Sequence, residues 1–364
     1  SDLIIVAGRP SMGKCLTADA EIVLADGSVR TIQEVVQARS GRLLTLTDRL
    51  KFTTAEPSAF VDDGVKPVFT VTTRLGRRIR TTLTHPFLTI EGWKPLGEIR
   101  EGDSIAVPRH IEILGDRSLG EERVRLLAYL LGDGSLTGSC PRFTNSDPRL
   151  RADFRDAAQR FGGLAVREET PTTRAPGLAI SSDRAGIAER RRRFGAILTE
   201  RLAASEFSAR QLAARLGVSP ASVTSWRQGS VAPERAAFHG LCAALDIGEE
   251  EATSAAWAAM RKSARNPLTR WLESLGLWGK TARDKFIPGV VFTLRRDEVA
   301  SFLNRLFATD GWATVLASGQ AQLGFCSTSE RMARQVQHLL LRFGVIASLR
   351  HRRVRYRGGL RSAF

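Results

Sequence analysis

The feature that most constrains this chain is a phosphate-loop pattern that fails at its last position. The chain begins "SDLIIVAGRPSMGKC", and the pattern G-x-x-x-x-G-K-[ST] is met at Gly8, Gly13 and Lys14. The next residue should carry a hydroxyl to bind magnesium, but it is Cys15, and a thiol is a poor ligand for a hard cation. Either the nucleotide site is inactive, or Cys15 begins a different segment of the protein.

The sequence after Cys15 favours a new segment. A helix should follow a phosphate loop, but short alternating runs such as "AEIVLADGSV" and "PVFTVTTRLGRRIRTTLTHPF" follow instead, broken by Asp-Gly and Leu-Gly turns. They predict an all-β block that ends near Pro108. The alternative is a cysteine variant of a working phosphate loop.

The charge of the chain is distributed unevenly. The formal net charge is +16, yet residues 1–108 hold 14 Lys and Arg against 13 Asp and Glu. The remaining residues hold 40 against 25 and therefore carry almost all of the charge. A segment this basic is typical of proteins that bind a polyanion, most simply double-stranded DNA, and the alternative is a solvated basic surface.

The cysteines indicate a reducing compartment. Cys15, Cys140, Cys242 and Cys326 form no C-x-x-C pair, which favours free thiols over a disulfide framework. The sequence has neither a signal peptide nor a membrane-spanning stretch, so we expect a cytoplasmic protein.

Two later segments repeat one helical pattern. "EERVRLLAYLLGDGSL" and "DEVASFLNRLFATDGWA" each predict an apolar helix whose end delivers an aspartate followed by glycine, at Asp133 and Asp310. After the second segment, Ser327 and Glu330 have capping-box spacing and predict the start of an amphipathic helix. Taken alone, each Asp-Gly pair is also a common helix stop.

The sequence from Cys15 onward resembles the start of an intein, a self-splicing insert, and "GRPSMGK" resembles the phosphate loop of DnaB-type replicative helicases. The resemblance implies that Cys15 is the first intein residue and attacks the carbonyl of Lys14 in an N-to-S acyl shift. The missing Ser or Thr would follow the intein and join Lys14 after splicing. Gly8, Gly13 and Lys14 would bind ATP only in the spliced helicase, which is expected to be a homohexamer.

Inteins also carry a T-x-x-H box, and "RTTLTHPFLTIEGW" supplies Thr82 and His85. A peptide amine is a poor leaving group, so the acyl shift needs a proton donor, and the pKa of histidine suits that role near neutrality. The resemblance therefore implies that Cys15, Thr82 and His85 form a splicing site. A lone histidine beside proline is more often structural.

The two aspartate-bearing helices resemble the paired LAGLIDADG motifs of homing endonucleases, which many inteins contain. In that family the two helices pack about a pseudo-twofold axis within one monomer, and here Ala128, Gly132 and Ala308 would allow close approach. The resemblance implies that Asp133 and Asp310 bind Mg²⁺ beside the scissile phosphates of double-stranded DNA.

A lysine completes the set that this resemblance implies. "RDKFIPGVVF" resembles the K-x-I-P box that precedes the second LAGLIDADG helix. Lys285 is therefore the expected active-site base or transition-state cation, and Lys280 is the alternative.

Between the two halves, "QLAARLGVSPASVTSWRQG" is similar to helix-turn-helix DNA readers of the phage-repressor type. Ser208 and Ser219 would cap two short helices, and Gly217 would make the turn between them. Val223 and Trp226 would face the core. The candidates for base or phosphate contacts are Ser222, Ser225, Arg227 and Gln228. A plain helical hairpin is the alternative.

Together these patterns predict a multidomain α+β protein, with an incomplete all-β Hint-type splicing domain and an α+β LAGLIDADG endonuclease that carries an inserted helix-turn-helix. The expected segments are 1–14 from the helicase, 15–110 for splicing, 111–204 and 246–364 for the endonuclease halves, and 205–245 for the DNA-binding insert.

The splicing domain is expected to be incomplete because the terminal His-Asn pair of inteins is missing. The last asparagine is Asn304, inside a predicted helix. Two rival functions stay open: an ATP-binding helicase segment, and a helix-turn-helix DNA-binding protein without catalysis.

Overall fold

The computed structural model describes residues 16–60, 62, 64–172, 174–248, 252–261, 266–356 and 359–364. Helices and strands are mixed along the chain, which confirms the predicted α+β class. Two compact units are present: the residues up to Gly138 together with Leu275–Phe364 form the first, and Ser139–Ser274 form the second. The five segments expected from the sequence stay predictions. No described helix is long and apolar enough to cross a membrane.

The first part of the chain consists mainly of short antiparallel hairpins. Its elements are β1 (Glu21–Val23), β2 (Val29–Thr31), α1 (Ile32–Ala38), β3 (Leu43–Leu46), β4 (Phe52–Ala55), β5 (Phe69–Thr72), β6 (Arg78–Thr81), β7 (Pro86–Thr89), β8 (Gly92–Pro95), α2 (Glu121–Leu131) and β9 (Gly134–Ser135). The pairs are β1 with β2, β3 with β4, β5 with β6, and β7 with β8. Gly27 (φ 83°) and Gly76 (φ 82°) make the expected Asp-Gly and Leu-Gly turns.

One helix corrects the expectation of an all-β block. Helix α1 begins with a capping box: Thr31 Oγ1 accepts from the Glu34 amide at 3.2 Å, and the Thr31 amide donates to Glu34 Oε2 at 2.7 Å. This local exchange satisfies two backbone donors and starts the helix among strands.

The second unit combines a sheet with a group of helices. Its elements are β10 (Arg142–Thr144), α3 (Pro148–Phe161), β11 (Leu164–Glu169), β12 (Gly177–Ser182), α4 (Arg184–Ala203), α5 (Ala209–Leu216), α6 (Pro220–Arg227), α7 (Arg235–Ala244), α8 (Ser254–Met260) and α9 (Pro267–Ser274). Strand β12 pairs antiparallel with both β10 and β11. Helices α4 to α8 share one apolar core, which contains Leu198, Leu212 and Phe238.

Helices α5 and α6 form where the sequence predicts two short helices. Ser208 and Ser219 each accept a hydrogen bond from the backbone amide three residues later, both at 3.2 Å. Gly217 ends α5 in the left-handed region with φ 67°. Val223 and Trp226 are buried in the core, as expected.

The last part of the chain returns to the first unit. Its elements are α10 (Arg296–Asp310), β13 (Gly311–Val315), β14 (Ala321–Phe325), α11 (Glu330–Leu341), β15 (Arg352–Tyr356) and β16 (Gly359–Ala363). The cap of α11 corrects a prediction, because Ser329 and not Ser327 accepts the capping hydrogen bond, from the Met332 amide at 3.2 Å. Ser329 is selected because its hydroxyl also donates to the buried Lys285 carbonyl at 2.6 Å.

Arg342, directly after α11, is fully buried. Its guanidinium donates to the carbonyl oxygens of Gly27 (2.6 Å) and Phe292 (2.7 Å), and to His338 Nε2 (3.0 Å). Burial and the neighbouring Arg342 hold the pKa of His338 well below its usual value, so the neutral imidazole accepts this hydrogen bond. Leu341 packs with Val23, Leu44 and Ile111. The final helix and the first hairpins therefore share a core.

Candidate functional site

Helices α2 and α10 pack against each other and end together. A Cβ atom built on Gly132 would lie 2.0 Å from Thr309 Oγ1, so the two helix ends touch and a side chain would not fit here. Asp133 and Asp310 each follow directly in the sequence and lie at this end of the pair. Ala128 is buried, as expected at the contact, whereas Ala308 is exposed and Thr309 takes the place predicted for it.

Lys285 lies against the last carbonyl oxygens of α2, at the same end of the helix pair. The residue is only 4% exposed, and its Nζ atom lies within hydrogen-bond distance of four backbone carbonyl oxygens. These belong to Leu130 and Leu131 (both 2.9 Å), Gly132 (3.1 Å) and Gly134 (2.8 Å). The last carbonyls of a helix lack partners within the helix and carry its negative pole, so a buried ammonium group stabilises them. Lys280, the alternative lysine, is exposed.

The charges at this end of the helix pair perturb one another. Burial, and then the negative charge of Asp133, raise the pKa of Asp310 to about 6, while Lys285 opposes the change. Burial lowers the pKa of Lys285 to about 8, against the pull of both aspartates. Two carboxylates that repel each other beside one buried ammonium make a site that an additional cation would stabilise.

Helix α11 supports the segment that carries Lys285. Ser329 Oγ donates to the carbonyl oxygen of Lys285, and the Gln335 side chain exchanges two hydrogen bonds with the backbone of Ile287, at 2.7 and 3.0 Å. Neither side chain was predicted from the sequence. Gln335 is a polar residue on a buried face of α11, and Ser329 precedes that helix as its N-cap.

Thr82 and His85 lie close together at the end of strand β6. Both are buried, and the His85 amide donates to the Thr82 carbonyl oxygen at 3.2 Å. Thr82 Oγ1 lies 3.0 Å from Thr84 Oγ1. An antiparallel bridge between Leu16 and Thr81 brings the residue after Cys15 beside this motif. Cys15, Lys14 and the phosphate-loop glycines Gly8 and Gly13 lie outside the described residues.

His85 also borders an open cavity of about 320 Å³ in the first part of the chain. Apolar side chains, among them Phe52, Phe87 and Trp93, form much of its lining. The ring of Phe87 meets the imidazole edge-on, with 5.3 Å between the ring centroids. Such surroundings limit water around the histidine.

The four predicted DNA contacts on and after α6 differ in exposure. Arg227 and Gln228 are exposed, whereas Ser222 and Ser225 are half-buried. Ser222 Oγ lies 2.9 Å from the capping Ser219 Oγ, and Arg227 Nε donates to Thr199 Oγ1 at 3.3 Å. Arg227 and Gln228 are thus the two members of this set with accessible side chains.

Among the residues that the structure describes, no group of three or more His, Cys, Asp or Glu side chains could hold a metal ion. Among the described residues, Asp133 and Asp310 are the carboxylates that follow directly from the contact between the two helix ends.

The LAGLIDADG-like domain family matches residues 297–362 of this chain. The matched range contains Asp310, helix α11 and all of α10 except its first residue, and it leaves out Asp133 and Lys285.

Longer relatives match most of the chain. It is 28% identical to the replicative DNA helicase DnaB of Rhodothermus marinus over 340 residues, which are 92% of this chain and 28% of that protein. It is 27% identical to the replicative DNA helicase DnaB of Nostoc sp. over 341 residues, 92% of this chain and 30% of that protein. This chain thus spans less than a third of the length of either relative.

A solved structure matches a shorter part. The crystal structure of a DnaB intein from Synechocystis sp. PCC 6803 is 34% identical, and the match covers 26% of this chain and 70% of that one, with a TM-score of 0.25. A TM-score of this size supports no statement about fold, so this similarity is one of sequence.

Proposed function

Because this chain belongs to the DnaB-type inteins and carries a LAGLIDADG-like domain, we propose that it holds two separate reactive centres. One is a metal-dependent site that cuts double-stranded DNA, at Asp133 and Asp310. The other is a splicing site at Cys15, Thr82 and His85. The observation that supports the first is the contact between Gly132 and Thr309, since it leaves the two Asp-Gly pairs at the same end of one helix pair.

Mg²⁺ fits the nuclease site. Carboxylate oxygens are the ligands that Mg²⁺ prefers, and this ion keeps several waters and takes substrate phosphates instead of demanding a complete protein cage. Two half-buried, mutually repelling carboxylates match that requirement. When bound, the ion would activate water and stabilise the leaving oxygen.

The protein's own residues would orient this centre. Lys285 holds the end of α2 through four carbonyl oxygens and so fixes the direction in which Asp133 leaves the helix. An ammonium group has three N–H donors, and the surrounding carbonyls occupy them. We therefore assign Lys285 as a protonated cation near the reacting phosphate, in preference to a general base.

Helices α5 and α6 would bind DNA as a helix-turn-helix. Two capped short helices, a left-handed glycine between them and the exposed Arg227 and Gln228 support this assignment. This segment would add affinity and position on DNA. Cleavage would belong to the aspartates.

For splicing, the Cys15 thiolate would attack the carbonyl carbon of Lys14, and the peptide nitrogen would leave as an amine. His85 would donate the proton that this amine needs, and Thr82 would hold the scissile peptide. The bridge between Leu16 and Thr81 supports this assignment, since it brings the chain that follows Cys15 to the T-x-x-H box.

The spliced helicase would be the separate, final product. ATP binding at Gly8, Gly13 and Lys14, a homohexameric assembly and a cytoplasmic site of action belong to it. The endonuclease would act as a monomer with two pseudo-symmetric halves.

Plasmid cleavage tests the nuclease centre. The substrate carries the uninterrupted phosphate-loop gene region and is incubated with Mg²⁺ or with EDTA. Asp133→Asn and Asp310→Asn should each abolish double-strand cleavage and leave DNA binding intact, whereas Asp116→Asn, which changes an exposed aspartate outside both Asp-Gly pairs, should cut normally. Cleavage in EDTA, or by the double variant, would show that both aspartates are only helix stops.

Thiol treatment tests the splicing centre. Dithiothreitol should release the peptide that ends at Lys14 slowly or not at all, and a C-terminal intein segment supplied in trans should raise the release, because a thiol captures the thioester at Cys15 only when the splicing fold closes. Cys15→Ala should prevent release and His85→Ala should slow it. Release from Cys15→Ala would refute the acyl shift.

A further inference from the structure

Helix α11 lies within the LAGLIDADG-like match, yet it contacts both the nuclease centre and the β-rich part of the chain. Gln335 and Gln337 are both buried on this helix, at 5% and 4% exposure. Two residues apart on an α-helix, side chains point about 200° away from each other. The two glutamines therefore contact different segments on opposite sides of the helix.

Gln335 serves the nuclease side. It accepts from the Ile287 amide at 2.7 Å and donates to the Ile287 carbonyl at 3.0 Å, two residues from Lys285. Both polar atoms of the side chain are thus used on the segment that carries the lysine.

Gln337 serves the hairpin turn between β5 and β6. Its Nε2 atom donates to the carbonyl oxygens of Leu75 (2.9 Å) and Ala347 (2.8 Å). Arg334, one turn earlier, donates to the adjacent Gly76 carbonyl at 3.0 Å. The Leu349 amide is a further donor to Leu75, at 2.9 Å. This turn is therefore fixed from outside the hairpin.

The fixed turn leads directly to the T-x-x-H box. Strand β6 runs from Arg78 to Thr81, and Thr82 follows it without a break. A displacement of the turn would move along this strand, because its register with β5 joins Thr72 to Arg78 and Phe69 to Thr81. Contacts from α11 therefore reach the turn that opens the strand leading to His85.

We propose that α11 is a positioning element shared by both centres, and that Gln337 and Arg334 are positioning residues for the splicing reaction. The proposal rests on the assigned role of His85. It differs from a merely structural role, because loss of the Gln337 contacts should disturb His85, and loss of the Gln335 contacts should not.

A matched pair of variants in the full chain tests this inference. Gln337→Met and Gln335→Met each remove two hydrogen bonds from a buried glutamine of the same helix while keeping its length. The first readout is the imidazole spectrum of ¹⁵N-histidine-labelled protein, in which His85 is one of five histidines and is assigned with His85→Gln. The second is the rate of thiol-induced release of the peptide ending at Lys14.

Gln337→Met should shift the His85 signals and slow release by about tenfold, because the hydrogen bonds donated to Leu75 and Ala347 are both lost. Gln335→Met should leave both unchanged and reduce plasmid cleavage instead. Equal effects of the two variants on His85, or no effect of Gln337→Met, would overturn the proposal.

Arg334 keeps the test decisive if Gln337→Met does not fold. Arg334→Met should shift the His85 signals in the same direction, and Arg334→Lys, which retains a donor for Gly76, should restore them. Failure of Arg334→Met to shift the signals would refute the positioning role. A wild-type chain that releases no peptide even with a C-terminal intein segment supplied in trans would instead refute the splicing assignment, and the spectrum would still report on positioning.

Discussion

The Nζ atom of Lys285 lies 2.8 Å from the carbonyl oxygen of Gly134. Since it also contacts the carbonyl of Gly132 at 3.1 Å, it holds the backbone on both sides of Asp133. The lysine is therefore part of the structure that aims the aspartate.

Lys285→Met should both destabilise the protein and abolish DNA cleavage. The variant leaves the last carbonyl oxygens of α2 buried without this donor, which should lower the free energy of unfolding by about 2–4 kcal/mol. Urea unfolding measures the loss. Lys280→Met is the control, because that lysine is exposed and its loss should stay within about 0.5 kcal/mol. Equal behaviour of the two variants would contradict the contacts described here.

Gly132→Ala should separate the ends of α2 and α10. The added methyl group would meet Thr309 Oγ1 at 2.0 Å, and relieving such an overlap typically costs about 1–3 kcal/mol. Thr309→Gly in the same chain should recover part of the lost unfolding free energy. Gly289→Ala is the matched control, because a methyl group added there would meet no neighbouring atom within 4 Å. If Gly132→Ala were as stable as Gly289→Ala, the helix ends would not touch.

Asp310 should make stability depend on pH between about 4 and 6. Its pKa in the folded protein is about 6, above the ordinary 3.8, so the folded state keeps a proton that the unfolded chain releases first. The contribution is fully present below about pH 4 and is lost as the pH rises through about 6. Two pKa units correspond to about 3 kcal/mol. Urea unfolding of wild type and Asp310→Asn across this range measures it, as the difference between the two curves.

Mg²⁺ should offset the stability that the folded protein loses as Asp310 ionises. Near pH 7, added Mg²⁺ should raise the unfolding temperature of wild type, because ion binding compensates the two neighbouring carboxylates. Asp310→Asn should show a smaller rise. An equal response of the two proteins would mean that the ion binds elsewhere.

Arg227→Ala should weaken DNA binding without affecting cleavage chemistry. If Arg227 contacts a base, the affinity for the cognate site should fall by about 1–3 kcal/mol, whereas a phosphate contact should weaken all sequences alike and reduce the salt slope by about one. Fluorescence anisotropy over a salt series separates the two cases. The control is Arg160→Ala, an exposed arginine on α3. Equal losses for both variants would indicate a general effect of charge.

Local sequence predicted those features that local hydrogen bonds determine. Ser208 and Ser219 cap their helices as expected, because each cap involves only residues within one turn. The predicted cap at Ser327 is wrong, because Ser329, two residues later, caps the helix instead. The choice between them depends on the carbonyl of Lys285, 44 residues away in the sequence.

Long-range contacts explain what the sequence did not predict. Gln335 and Gln337 lie on α11 and Arg342 directly follows it, yet all three of these polar side chains are buried. Each donates to backbone carbonyl oxygens of distant segments. The spacing of polar and apolar residues along a helix does not predict backbone acceptors in distant segments. The four carbonyls around Lys285 escaped prediction for the same reason, whereas the lysine itself was found through its K-x-I-P motif.

The contacts of Arg342 restrict how this chain could be shortened. A deletion that removed the endonuclease would also remove the donor of the Gly27 carbonyl and the Leu341 side chain that covers Val23 and Ile111. The remnant would have to replace both at once. A shortened chain that keeps the first hairpins therefore needs other side chains to bind the Gly27 carbonyl and to cover Val23 and Ile111.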